Sequence, residues 1–155
     1  MQLKAMPLGL VLITSYAIAT PAFAETTPED AYDYRHSVMK SLGSHAHAFF
    51  LLFAGKVDQR DQMGTHANAI AAVGAEIGTL FPPGSSVDDS HALPLIWEEP
   101  DQFSEKVQNA ETATAGFAAA VATGDQKTIA ESFKALGEAC KGCHDRYRED
   151  DDHDH

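Results

Sequence analysis

Two stretches of this chain repeat one spacing of core-forming residues, and that spacing leaves few folds open. Phe103, Val107, Ala110, Thr114, Phe117 and Val121 step by four, three, four, three and four, and Ile129, Phe133, Leu136, Cys140, Cys143 and Tyr147 do the same. A period of about 3.5 residues draws one stripe along a helix, the pattern of helices that pack side by side. Gly124-Asp125 lies between the two stretches as a turn. Two earlier segments also read as helices. The first opens at TTPED, where Thr27 can cap, Pro28 suits the first turn, and Glu29 and Asp30 meet the positive end of the helix dipole. Its stripe takes in Ala31, Val38, Leu42, Phe49 and Phe53, and it runs to Ala54, where Gly55 stops it. The second spans roughly Asp61 to Leu80, with Ala67, Ile70, Val73, Ile77 and Leu80, and ends at FPPG. No stretch reads convincingly as a strand. The fold expected is all-α, an antiparallel four-helix bundle. Only the connection from Phe81 to Glu99 is long; its PPGSS and ALPLIW predict an ordered crossing loop, with Trp97 packed over one bundle end.

The chain ends read differently. MQLK, an apolar stretch and the small-residue TPAFA have the pattern of a secretory signal peptide cut after Ala24. The apolar run is short for a membrane span. The domain expected is therefore 25–148, preceded by a signal peptide over 1–24 and followed by a disordered acidic and histidine-bearing tail over 149–155. Loss of Lys4 with the first segment takes the formal charge from −12 to −13. So acidic a chain repels phosphate backbones and anionic lipid and attracts basic protein surfaces. Nucleic acid and, after signal cleavage, membrane insertion are excluded on that reading. His153 and His155 could hold a metal ion loosely, although a metal site needs fixed geometry that a solvated tail lacks.

The chemistry sits in LGEACKGCHDRYR, residues 136–148. Cys140 and Cys143 lie one turn apart on the core stripe, and His144, four residues after Cys140, projects from almost the same face. Haem has two vinyl groups that can be trapped as thioethers and an iron that needs an axial imidazole; Cys-x-x-Cys-His supplies all three groups from one turn and a half of helix. The rival uses of two such cysteines fit less well. A thioredoxin-like dithiol belongs at a helix start after a strand, where the dipole lowers the thiol pKa. A structural zinc site needs a fourth ligand and usually a second paired cluster. A disulfide between helix neighbours three apart is strained. With both cysteines in this motif, no disulfide framework holds the fold.

The chain as a whole resembles the cytochrome c prime family, the class II c-type cytochromes. The likeness covers nearly all of 25–148: PEDAYDYR opening the first helix, LFPPGSS after the second, ALPLIWEEPDQF before the third and ALGEACKGCHDRYR in the fourth. It implies one haem c bound covalently through Cys140 and Cys143, with His144 as proximal iron ligand. It implies Arg35 near a haem propionate and Arg148 beside the proximal ring. It also implies a homodimer through the faces of the first two helices.

The resemblance further makes the second axial position of the iron decide function. One branch of the family leaves it empty and binds NO or CO; another fills it with a first-helix methionine and carries electrons. Met39, followed by Lys40 and with Gly43 beyond, is similar to the methionine of the second branch. The expectation is thus a periplasmic monohaem cytochrome that shuttles single electrons to and from a basic-surfaced partner, with Met39 on the iron. Its alternatives are a gas-binding cytochrome with an open distal site and a haem-free helical module that handles metal. His45, His47 and His66 are further conceivable ligands, but 45 and 47 point to different faces and are expected to meet solvent. Met63, at the start of the second helix, is expected to lie away from the haem. No nucleophile–base pair or paired acid marks an enzyme.

Overall fold

The computed structural model describes residues 25–149. The expected signal peptide and, apart from Glu149, the expected tail lie outside these residues. Helix α1 runs Pro28–Phe53, α2 Met63–Gly74, α3 Leu95–Glu98, α4 Pro100–Thr123 and α5 Gln126–Tyr147. Of these, α1, α2, α4 and α5 make the four-helix bundle, and α3 is a single turn within the crossing loop.

The helix ends follow local chemistry. Thr27 Oγ1 accepts from the Asp30 N–H at 3.1 Å and so satisfies one of the free donors of the first turn of α1. At the other end Gly55 adopts φ 67°, and the Lys56 N–H reaches back to the Leu51 carbonyl at 2.9 Å. That left-handed residue and the bond after it close off the last carbonyls of the helix. Between α4 and α5 two residues suffice. Gly124, at φ 72°, ends one helix, and Asp125 Oδ1 accepts from the Thr128 N–H at 2.8 Å to begin the next. The Thr128 hydroxyl, which also donates to Oδ1, and then this backbone bond hold the Asp125 carboxyl below its ordinary pKa.

The second segment departs from expectation. The span from Asp61 to Leu80 is not one helix: only Met63–Gly74 is α-helical, with tighter 3₁₀ turns at Arg60–Gln62 and Ile77–Thr79. The core stripe nevertheless continues through the tightened end, where Ile77 and Leu80 stay buried.

Packing runs from α1 to α2, from α2 to α4 and from α4 to α5; α1 and α5 are not drawn together by a comparable backbone approach. Two adjoining apolar clusters fill the bundle. One gathers Phe49, Ile70, Phe117, Ile129 and Leu136. The other gathers Ile77, Ile96, Phe103, Val107 and Tyr147, with Phe81 and Trp97 against it. Trp97 thus packs where the spacing of the loop predicts, and its Nε1–H donates to the Pro82 carbonyl at 3.1 Å. The end of the crossing loop is tied to the end of α5: the Leu93 N–H donates to the Tyr147 carbonyl at 2.9 Å and the Glu149 N–H to the His91 carbonyl at 2.8 Å.

Helices α2 and α4 approach closely at Gly74. A β-carbon built on Gly74 would fall 2.5 Å from Thr114 Oγ1 and 2.6 Å from its Cγ2, inside any allowed contact. Glycine in a helix ordinarily costs about 1 kcal/mol relative to alanine, so Gly74→Ala would stabilise an open site. Here the clash reverses the sign. Gly74→Ala should destabilise the protein by about 1–3 kcal/mol, read as a lower midpoint in urea. Combining it with Thr114→Ala should recover part of the loss, and a Gly74→Ala protein as stable as the parent would show that the two helices can part freely.

Candidate functional site

On α5 the motif straddles the junction of the two clusters. Cys140 packs against the cluster of Phe49 and Leu136, and Cys143 against the cluster of Phe103 and Tyr147. Both are free thiols, half-buried in apolar surroundings. Burial raises the pKa of each; for Cys143 the neighbouring Cys140 adds to the rise and Lys106 opposes it. Such thiols are protonated at neutral pH. A dithiol that works by attack as thiolate needs the opposite shift, so the surroundings argue against thiol–disulfide exchange. Among the described residues no three His, Cys, Asp or Glu side chains come together in a group that could hold a metal ion.

His144 follows on the outer side of this turn. Its residue surface is largely exposed, yet enough protein lies around the ring that desolvation leads in lowering its pKa; the charge of Arg148 lowers it further, and Asp145 works against both. The imidazole is therefore neutral near pH 7, the form in which a histidine can coordinate a metal. Arg148, whose N–H donates to the His144 carbonyl at 3.0 Å, is exposed one turn beyond. Arg146 fixes this end of α5 to the start of α4: Nε and Nη2 donate to Glu99 Oε2 at 3.1 and 2.5 Å, and Nη2 also to Gln102 Oε1 at 3.0 Å. The Tyr147 hydroxyl is buried without a hydrogen-bond partner.

Met39 is half-buried on α1 and packs against the same cluster as Cys143. The cluster that it and that thiol pack against includes Phe103 and Ile77. Met63 packs against the first cluster, as Cys140 does, and borders a groove shared with Val121, Gly124 and Gln126, at the α4–α5 turn.

Arg35 has a role that sequence reasoning missed. It is only 4% exposed, and its guanidinium holds the crossing loop: Nη1 donates to the Leu80 carbonyl and Ser85 Oγ, both at 3.2 Å, and Nη2 to the Ser85 carbonyl at 3.2 Å and Ser90 Oγ at 3.3 Å. The cation also lies 5.1 Å from the centre of the Phe81 ring, close enough for attraction to its face. Burial lowers the Arg35 pKa, though a guanidinium stays charged. A signal was present, since Arg35 stands on the stripe of Ala31, Val38 and Leu42, where a charge must find partners. The solvent-facing expectation for His45 is corrected as well. His45 is half-buried, and its Nδ1 lies 2.9 Å from Nδ1 of His66 on α2. His47 is exposed, as expected.

Comparison with known proteins agrees with this geometry. A family described as Cytochrome C' matches residues 30–148. A cytochrome c' of Pararhodospirillum photometricum is 30% identical over 124 residues, covering 79% of this chain and 99% of that protein. A cytochrome c-554 of Cereibacter sphaeroides is 33% identical over 155 residues, covering 94% and 99%. Among solved structures, a ferrous variant of cytochrome c prime from Alcaligenes xylosoxidans with bound NO superposes with a TM-score of 0.74 at 28% identity, covering 83% of this chain and 99% of that one. A carbon monoxide-bound variant of the same protein gives 0.73 at 28% identity, over 83% and 100%.

Arg35→Leu tests the clamp apart from any cofactor. It leaves the Leu80 and Ser85 carbonyls without their donor and should cost about 2–4 kcal/mol of stability. Amide exchange at Ser85 and Ser90 should quicken more than exchange in α4. An unchanged melting curve, with those amides still protected, would mean that the loop is held by its apolar contacts alone.

Proposed function

We propose that this chain, which belongs to the cytochrome c prime family, is a monohaem cytochrome whose distal iron face takes small uncharged gases such as NO or CO. Its cofactor is haem c. The thiols of Cys140 and Cys143 fit the attachment: they are neutral, half-buried and one turn apart on a helix face turned to the bundle interior. His144 would be the proximal ligand, held neutral by its surroundings. When bound, the haem supplies an iron that exchanges one electron and accepts a sixth ligand. Membership in this family sets aside the haem-free reading.

One observation carries the distal assignment. Met39, the α1 residue that shares a cluster with Cys143, has aromatic and aliphatic neighbours. An apolar distal face suits an uncharged diatomic molecule and provides little to hold an anion. The NO- and CO-bound relatives support the same reading. A second reading rests on Met39 itself: its thioether can bind iron, which would make the protein a low-spin carrier of single electrons. Packing filler is the commoner role of a core methionine, and the gas-binding relatives weigh on that side.

The remaining assignments belong to the same proposal. Arg148 would stand beside the proximal ring, supported by the effect of its charge on His144. Arg35 near a propionate rests on the resemblance alone, because both of its Nη atoms are engaged by the loop. A homodimer through the outer faces of α1 and α2 is supported by Tyr34 and Phe50, 57% and 46% exposed on α1. A basic-surfaced redox partner is supported by the formal charge of −12. Export to the periplasm with cleavage after Ala24 follows from the form of residues 1–24. No helix among the described residues is long and apolar enough to cross a membrane.

Absorption spectra of the purified protein, oxidised and reduced, with and without CO, decide between the readings. A five-coordinate, high-spin spectrum that shifts readily with CO is expected, and Met39→Ala should then change it little. A low-spin spectrum in the parent, turned high-spin and CO-reactive by Met39→Ala but not by Met63→Ala, would establish the electron-carrier reading instead.

Attachment has its own test. Changing Cys140 and Cys143 to Ser should give protein without haem on a denaturing gel stained for covalent haem. Staining equal to the parent would refute the thioether assignment.

A further inference from the structure

Away from the haem motif, two histidines among the described residues come together. His45 on α1 and His66 on α2 stand Nδ1 to Nδ1 at 2.9 Å, their rings inclined at 50° with centroids 5.2 Å apart, and both are half-buried. A single N–H···N hydrogen bond accounts for the pair on its own, one ring carrying its proton on Nδ1 and the other on Nε2. The same spacing has a second use. Two imidazole nitrogens each about 2.0–2.1 Å from one ion, at right angles about it, lie about 2.9 Å apart; at a tetrahedral angle they lie about 3.4 Å apart. The helices therefore already hold the two nitrogens at the separation that a right-angled bite requires. That geometry belongs to square-planar and octahedral ions rather than to four-coordinate zinc.

We propose that His45 and His66 form a bidentate site for a divalent late transition ion, copper(II) or nickel(II), joining α1 to α2 and independent of the haem. Both nitrogens bind as lone pairs, so the one Nδ1 proton moves to Nε2 of the same ring and no proton leaves a neutral pair. Water completes the coordination. His66 also borders a cleft of about 210 Å³ with Gln59 and Gln62, which gives solvent and ion a way in. The net charge of −12 raises the local concentration of cations.

Equilibrium dialysis of the haem-loaded full chain against nickel(II) tests the site. His153→Ala and His155→Ala are included throughout so that the tail contributes nothing. One ion per chain is expected, with copper(II) bound more tightly and zinc(II) less. His45→Asn and His66→Asn, each with an unchanged haem spectrum, should weaken nickel(II) binding at least tenfold. Saturating nickel(II) should raise the melting temperature of the parent and not of the variants. Binding that the Asn variants retain, or no stoichiometric binding once the tail histidines are gone, overturns the proposal. Should either variant lose its haem spectrum, acylation of His45 and His66 by diethyl pyrocarbonate in the parent, mapped by mass spectrometry, decides. Nickel(II) must slow it at both residues, and equal rates with and without the ion overturn the proposal.

Discussion

Helix α4 is the element on which the others lean. It meets α2 on one side and α5 on the other, and its buried row Phe103, Val107, Ala110, Thr114 and Phe117 touches both apolar clusters. Small residues in mid-row are what allow this. With Gly74 opposite Thr114, the backbones of α2 and α4 come closer than side chains would otherwise permit. Once α2 and α5 are both seated on α4, the fourth side of the bundle, between α1 and α5, is the side where two helices lack a close backbone approach. Met39 of α1 and Cys143 of α5 nevertheless pack against one apolar cluster, so side chains bridge what the backbones leave apart.

Electrostatics repeats that inequality. A chain with 23 acidic and 11 basic residues is acidic as a whole, yet Lys106, Lys141, Arg146 and Arg148 gather on or near the motif turn. Lys141 is paired with Asp145 and Arg146 with Glu99. Lys106 lies 3.7 Å from where a Gly142 side chain would begin, and it holds back the rise in the Cys143 pKa. Exposed pairs of this kind contribute little to stability; their effect is to pattern the surface.

Much of the bundle could be read before any coordinates. Thr27, Gly55, Gly124 and Asp125 mark helix ends because capping is chemistry within a few residues, and the 3.5-residue stripe on α4 and α5 is geometry along a single helix. What the sequence concealed lies between segments. Nothing local in residues 61–80 distinguishes a regular helix from one whose ends tighten into 3₁₀ turns. The register of Arg35 with the α1 stripe could have marked it as core-facing, but nothing local could name Leu80 and Ser85 as its partners, because they lie 45 and 50 positions away. His45 was misplaced for the same reason: its partner stands 21 residues further on, across a helix pair. Cys140, Cys143 and His144 could be singled out from sequence because the chemistry they would serve fits within one helical turn and a half.

The tie between the crossing loop and the end of α5 bears on the order of assembly. Helices α4 and α5 are joined by two residues, so they can meet early, at little cost in chain entropy. The bonds from Leu93 to Tyr147 and from Glu149 to His91 close far larger rings, and such distant contacts come late. Between these two stages, the helix that bears Cys140 and Cys143 can exist with its apolar face still uncovered by the loop. The loop is thus a late-closing latch over the end of α5, and Arg35, bonded to Leu80, Ser85 and Ser90, holds its far end in place.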